Sequence, residues 1–196
     1  MIRTVIAEGW NKATIGSHLV LSNRIFDRGQ AGICGSFGAI YSRIIHNDIH
    51  DIYAYRPFYG AEMAGFKLHG AIDVTIAHNE IHNTFIGVWL DWMGQGTLVS
   101  SNLLFGNGYA DFFPEVDHGP YTVWDNLLLS PISIKDWSEG GCYAHNLIAG
   151  CLSRAPQPRR TPFFDTPSAF EFKPALFFTK PRELYRSPGR HPERSA

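Results

Sequence analysis

The 196-residue chain has little charge, few cysteines and no long apolar run. Only 18% of its residues are charged and the formal net charge is −1, so the basic excess typical of nucleic-acid-binding proteins is missing. No run of about 18 apolar residues occurs, which excludes a transmembrane helix. A charged and then apolar leader with a cleavage site is also missing, and we expect a cytoplasmic protein without a membrane partner.

Cysteine and proline divide the chain further. The three cysteines have no spacing typical of a disulfide framework or a zinc site, so we expect no metal. Residues 152–196 hold 8 of the 12 prolines and carry a net charge of +5, whereas residues 1–151 carry −6. Because proline interrupts helices and sheets, we predict a folded domain over 1–151 and an extended or disordered Pro/Arg-rich tail over 152–196.

A short pattern recurs in the folded part: a polar residue, an asparagine, any residue and then an aliphatic one. The asparagines follow one another at steps of 24, 32, 23, 24 and 20 residues, and a repeat of this length is typical of a solenoid. Between them, apolar and polar residues alternate, which indicates short strands rather than helices. The six asparagines are Asn23, Asn47, Asn79, Asn102, Asn126 and Asn146.

These features predict an all-β fold, a right-handed parallel β-helix of about six rungs. Asparagine tolerates the left-handed backbone conformation at tight turns. Its amide also bonds the equivalent amide in the next rung, which forms a ladder that satisfies buried polar groups. The alternative, six unrelated loop asparagines, leaves the recurring aliphatic residue unexplained.

Two counts place Asp91 and Glu115 at the same point of successive rungs. Each acid follows one asparagine by eight residues and precedes a ladder asparagine by eleven. Alternation then predicts that both acids point outward. The expected inward residues are Val88, Leu90, Trp92, Phe112, Pro114 and Val116, and the expected outward residues are Trp89, Asp91, Met93, Phe113, Glu115 and Asp117.

Two acids in register on neighbouring strands would have carboxyl groups roughly 5 Å apart. That spacing is typical of retaining glycosidases and shorter than the ~6.5–9.5 Å of inverting ones. Two close carboxyls also hold their pKa values apart, as a nucleophile and a general acid require. Alternatively, the acids are surface residues that only interact with solvent. Like charges on adjacent strands are destabilising, which favours a functional reason for the pair.

The residues around the pair suit a sugar ligand. Aromatic side chains stack on sugar rings and exclude water, although they also fill β-helix cores. His118 either binds a sugar hydroxyl or caps a turn. Glu62 lies in an insertion of about eight residues, where it either accepts hydrogen bonds from substrate or pairs with Arg56 or Lys67. The aromatic candidates are Trp89, Trp92, Phe113 and Tyr121.

One residue conflicts with this interpretation. Lys135 precedes Asn146 by eleven residues, which is the position of Glu115 one rung later. A cation there would lower the pKa of Glu115 and oppose its role as an acid. Either the last repeat is out of register, as its shorter step favours, or Asp136 and Glu139 pair with the lysine.

Three segments resemble the glycoside hydrolase family 120 β-xylosidases: WLDWMGQGT, FFPEVDHGP and SEGGCYAHNLIAG. The resemblance spans about residues 10–165 and implies a truncated β-helix enzyme that releases xylose from xylobiose and short xylo-oligosaccharides with retention. It makes Asp91 the nucleophile and Glu115 the acid/base, without a cofactor. It places Glu62 at the substrate, and Asp117 stands where the family usually has asparagine. Together with Trp89 and His118, these two acids are the candidate substrate-binding residues.

Two other functions remain open from the sequence. A truncated β-helix that binds carbohydrate without turnover would keep the sugar site and lose the chemistry. A polysaccharide lyase shares this fold, but it needs basic residues and often calcium, against which the acidic body argues. An oligosaccharide is the expected partner in each case, and a homo-oligomer is possible because the sheet edges are open.

Overall fold

The structure is a computed structural model that describes residues 16–36, 39–55 and 62–155. The predicted tail lies almost entirely outside this part, as does Arg56. The described residues form eighteen short strands, β1 to β18, and no helix. Within them, no helix has the length and apolar character that crossing a membrane requires.

The strands form three parallel sheets of six strands each. The first contains β1 (Leu19–Leu21), β4 (Arg43–Ile45), β7 (Thr75–Ala77), β10 (Thr97–Ser100), β13 (Tyr121–Trp124) and β16 (Gly141–Ala144). The second contains β2 (Arg24–Arg28), β5 (Asp48–Ile52), β8 (Glu80–His82), β11 (Leu103–Phe105), β14 (Leu127–Leu128) and β17 (Leu147–Ile148). The third contains β3 (Ala31–Ser36), β6 (Ala64–His69), β9 (Ile86–Asp91), β12 (Ala110–Glu115), β15 (Ile132–Asp136) and β18 (Cys151–Arg154).

Each rung contributes one strand to each sheet, so the predicted right-handed parallel β-helix is confirmed. Strands that are neighbours in a sheet come from successive repeats, as in Leu98 of β10 beside Thr122 of β13. The apolar side chains that alternation turns inward fill one continuous core along the axis. Ile49, Ile81 and Leu104, on consecutive rungs of the second sheet, are completely buried there.

The asparagine ladder runs along the turn before the second sheet. Each of the first five asparagines donates its backbone N–H and its Nδ2–H to Oδ1 of the asparagine in the next rung, at 2.9–3.0 Å. The prediction that the asparagine itself adopts the left-handed conformation is wrong. The residue before each ladder asparagine adopts it. His46, Ser101 and Asp125, for example, have φ of 53–56°. The role of the asparagines in this turn is therefore hydrogen bonding and not the left-handed backbone.

Alternation holds along β9 and β12 and fails just after each acid. Trp92, predicted inward, is 40% exposed, whereas Met93 and Asp117, predicted outward, are buried. Val116, predicted inward, is only half-buried. The reason is the left-handed backbone at Trp92, Met93 and Val116, with φ of 54–62°, which reverses the direction of the side chains that follow.

Lys135 does not occupy the position of Glu115. Phe112 pairs with Ile134 and Glu115 forms a bridge with Trp137, so Lys135 lies beside Phe113. The last repeat is therefore out of register with the earlier count, because it lacks two residues before β15 and two after it.

Candidate functional site

Two neighbouring columns of outward side chains on the third sheet form the candidate site. The acid column consists of His69, Asp91, Glu115 and Trp137, one from each of four successive rungs. The lysine column, two residues earlier on each strand, consists of Lys67, Trp89, Phe113 and Lys135. The predicted register of Asp91 with Glu115 is confirmed.

Asp91 is held by two basic side chains from β6. Lys67 Nζ lies 2.7 Å from Asp91 Oδ2, and His69 Nε2 lies 3.0 Å from the same oxygen. Lys67 is 1% exposed and Asp91 is 7% exposed, so the ammonium supplies the positive charge that a buried carboxylate needs. Asp91 Oδ1 is also buried but has no hydrogen-bond partner among the described residues.

Glu115 has a less polar environment than Asp91. It is half-buried, and the Trp89 indole N–H donates to its Oε2 at 3.0 Å. Burial raises the pKa of Glu115 above its ordinary value, and the negative charge of Asp91 raises it further. Lys67 and the Trp89 hydrogen bond act in the opposite direction without reversing the shift.

Glu62 reaches the same cluster from the loop before β6. Its Oε2 lies 3.7 Å from Lys67 Nζ and 3.6 Å from His69 Nε2. The pairing with Lys67 that the sequence left open is thus present. Because Glu62 is 36% exposed at its side chain, it also remains accessible from solvent.

Aromatic side chains cover the outer face on the far side of Glu115. Trp89 stacks on Phe113 at 5.4 Å between centroids, and Phe113 meets Trp137 edge-on at 5.2 Å. The Lys135 ammonium lies 4.0 Å and 4.4 Å from the centroids of Tyr109 and Trp137, and it donates to the Tyr109 hydroxyl. Burial lowers the pKa of Lys135.

The remaining predicted residues lie further from this cluster. Asp117 is buried, and its Oδ1 accepts from the Gly94 N–H at 2.8 Å, while its own N–H donates to Ser138 Oγ. Its expected outward direction is wrong, so we assign it no sugar contact. His118 is half-buried in the turn after β12. Tyr121 is in the core, where it donates to Asp136 Oδ1, and does not flank the acids.

Sequence reasoning missed the two residues that hold Asp91. The sequence pattern indicates Lys67 only as a partner of Glu62 and gives no signal for His69. Counting back from Asn102 to Asp91 gives eleven residues, but the same count from Asn79 gives Leu68 instead of His69. The turn after β6 is one residue shorter than the turn after β9, which hides the match.

The cluster combines two carboxyl groups with unlike surroundings. Asp91 is paired with a buried cation and keeps one oxygen without a hydrogen-bond partner in the described part, as a nucleophile requires. Glu115 has a raised pKa and aromatic neighbours, as a proton donor requires. No group of three or more metal-binding side chains occurs in the described ranges.

A solved structure of XylC in complex with xylose is similar to this chain. The two share 48% sequence identity with a TM-score of 0.75, and the match covers 79% of this chain and 24% of XylC. This chain therefore spans about a quarter of the length of the protein it matches. It matches no protein-family model and no curated protein.

Proposed function

We propose that this chain carries the two-carboxyl centre of a retaining β-xylosidase that releases xylose from xylobiose and short xylo-oligosaccharides. The observation that carries the proposal is the register of Asp91 with Glu115 on adjacent strands. Adjacent strands lie about 4.8 Å apart, which fits the ~5–5.5 Å between the carboxyl groups of retaining enzymes. The 48% identity to a protein solved with xylose supports a sugar of this class.

In the first step, the Asp91 carboxylate attacks the anomeric carbon while the protonated Glu115 donates its proton to the glycosidic oxygen. The glycosidic bond breaks through an oxocarbenium-like transition state, the leaving sugar departs as an alcohol, and a xylosyl ester forms on Asp91. Lys67 and His69 contact Oδ2 and hold the carboxylate in place.

In the second step, Glu115 is ionised and removes a proton from water. The resulting hydroxide attacks the anomeric carbon, the ester bond to Asp91 breaks, and xylose leaves with its original configuration. Both carboxyl groups return to their starting protonation states. Glu62, beside Lys67 and accessible from solvent, is placed to accept hydrogen bonds from sugar hydroxyls.

The nucleophile is tested by Asp91→Gly with an aryl β-xyloside. We expect kcat/KM to fall by about ten-thousandfold, because the covalent route is lost. Azide should restore turnover and give an α-xylosyl azide, because it enters the space vacated on the nucleophile's side. Asp125→Gly is the matched control: Asp125 is exposed, is outside the cluster and has φ of 56°, which glycine accepts. An Asp91→Gly variant as active as the parent would show that the assignment is wrong.

The acid is tested by Glu115→Gln. The variant should lose far more activity on xylobiose than on a dinitrophenyl xyloside, whose leaving group needs no proton. Equal losses on both substrates would contradict the assignment. Binding of xylobiose by the parent without any turnover would instead support the carbohydrate-binding alternative.

A further inference from the structure

The indole of Trp89 has its two faces and its N–H all occupied. Lys67 Nζ lies 3.0 Å from the ring centroid, and the Phe113 ring stacks at 5.4 Å and 29°. Lys67 and Phe113 are the register partners of Trp89 on β6 and β12, so they cover opposite faces. No face of the indole is left on which a sugar ring can stack.

The N–H of the same indole donates to Glu115 Oε2 at 3.0 Å. We propose that Trp89 is a positioning residue for Glu115, an inference that rests on the proposed function: the indole, clamped between Lys67 and Phe113, fixes Oε2 and supplies the hydrogen bond that favours the ionised carboxylate. Oε1 is then the oxygen that gives and takes the proton. This role differs from the sugar contact that the sequence predicts for Trp89.

The cation on the ring makes this hydrogen bond stronger. An ammonium above the face of an indole is attracted to the negative charge of the π-system. It withdraws electron density from the ring, so the N–H becomes a better donor to a carboxylate. Lys67 thus contacts Asp91 directly and Glu115 through Trp89.

The hydrogen bond has a defined use in a two-step reaction. Glu115 must be protonated to release the leaving group and ionised to activate water. Burial and Asp91 favour the protonated form, whereas Trp89 favours the ionised one. Without the N–H, the carboxyl would remain protonated at a pH where the second step needs it ionised.

Substitution of Trp89 by phenylalanine removes the N–H donor and leaves a smaller aromatic ring. The ring between Lys67 and Phe113 remains, and the charged and titratable groups around Glu115 stay in place. These groups are Glu62 before β6, Lys67 and His69 on β6, Asp91 on β9, Lys135 on β15, and Asp117 and His118 after β12. A change in the titration of Glu115 in this variant therefore reports the lost N–H.

The experiment measures kcat/KM against pH for the 196-residue chain and for Trp89→Phe, with an aryl β-xyloside. We expect the alkaline limb to move up by about one pH unit, with little change in KM, because a hydrogen bond to a charged group has been removed. Phe113→Leu, which uncovers one face of the indole but keeps its N–H, should move the limb much less than Trp89→Phe does. A raised KM with an unmoved limb would instead make Trp89 a sugar contact and overturn the inference.

Two readouts do not depend on turnover. The carboxyl carbon-13 shift of Glu115 should titrate at higher pH in Trp89→Phe than in the parent. If this shift occurs in a chain that hydrolyses no xyloside, the proposed function fails and the positioning role stands. Should Trp89→Phe not fold, nitrogen-15 labelling of the parent's tryptophans decides: one indole N–H should titrate with Glu115 and stop doing so in Glu115→Gln. Absence of such a resonance overturns the inference.

Discussion

Lys67 and Lys135 stand at the two ends of one column and have opposite surroundings. Lys67 is buried, with Nζ 2.7 Å from Asp91 Oδ2. Lys135 is half-buried among Tyr109, Phe113 and Trp137, and it forms no salt bridge with another described residue. The same side chain is thus an ion-pair partner at one end and the occupant of an aromatic cage at the other.

This difference separates the two carboxyl groups chemically. By position, Lys135 flanks Glu115 on one side as Lys67 flanks Asp91 on the other. Its ammonium lies against the rings of Tyr109 and Trp137, and Trp137 occupies the place next to Glu115. Asp91 therefore has a cation and Glu115 has aromatic rings. The proposed division of roles between the two acids therefore rests on their different neighbours.

Among substitutions of the neighbours of the two acids, the largest expected effect is that of Lys67→Met. The variant leaves Asp91 buried without its cation, which costs about 3–5 kcal/mol for a buried pair that loses one partner. We expect kcat/KM to fall by at least about a hundredfold. Urea unfolding measures the first effect, and hydrolysis of an aryl β-xyloside measures the second.

A second substitution, at Asp91, shows whether Lys67→Met is destabilised by the lost charge pairing or by lost packing. If lost pairing destabilises Lys67→Met, the double variant Lys67→Met/Asp91→Asn should be more stable than Lys67→Met, because no unpaired charge remains. Lower stability in the double variant would show that Lys67 matters for packing and not for charge.

The next effect is that of His69→Asn. His69 contacts the same Asp91 oxygen as Lys67 but is 22% exposed at its side chain and stacks on Trp92 at 5.6 Å. Loss of this one partly exposed contact to the carboxylate should reduce kcat/KM about tenfold, clearly less than loss of Lys67. The two variants are compared on one aryl xyloside. A larger loss for His69→Asn would mean that the histidine, not the lysine, is the main support of Asp91.

A smaller effect, on stability, is expected at Asp117, a buried carboxyl that forms no salt bridge with another described residue. Asp117 Oδ2 has no hydrogen-bond partner among the described residues, and burial raises the pKa of this carboxyl well above its ordinary value. The folded state therefore holds the proton more tightly than the unfolded state. The stability that this gives is complete below about pH 4 and is lost as the pH rises through the raised pKa.

Asp117→Asn removes the loss of stability that the Asp117 carboxyl causes as the pH rises. The amide keeps an oxygen for the Gly94 N–H, as the ladder asparagines do for their neighbours, and carries no charge. We expect the variant to be about 1 kcal/mol more stable than the parent at pH 7, with a smaller difference at pH 4. Urea unfolding at both pH values measures this. A parent that is equally stable or better at pH 7 would show that Asp117 is paired and charged.

The sequence predicted the regular part of this molecule well. Strand alternation and the spacing of the asparagines are repeated in every rung, so the fold, the ladder and the register of Asp91 with Glu115 follow from counting. Errors begin where the repeat is irregular. Nothing in the residues Trp92, Met93 and Val116 signals a left-handed backbone, because such residues rarely adopt it.

The same limit explains the missed neighbours of Asp91. Contacts across the rungs depend on turn lengths, and a turn one residue shorter after β6 moved His69 out of the counted position. Two residues fewer after β15 likewise give Lys135 in the count back from Asn146, although Lys135 lies beside Phe113. Turn length can change without altering the strand pattern, so periodicity alone does not reveal it.

The smallest expected effect is that of Lys135→Met, the same substitution as at Lys67 but at the other end of the column. Methionine fits an aromatic cage and makes favourable contacts with rings, so unfolding should change by less than about 1 kcal/mol. Because Lys135 pairs with neither acid, kcat/KM should change by less than about threefold. Both variants are measured with the same aryl xyloside over the same pH range. A loss at Lys135 as large as that at Lys67 would mean that Lys135 stabilises charge at Glu115, and the two ends of the column would then be equivalent in function despite their different surroundings.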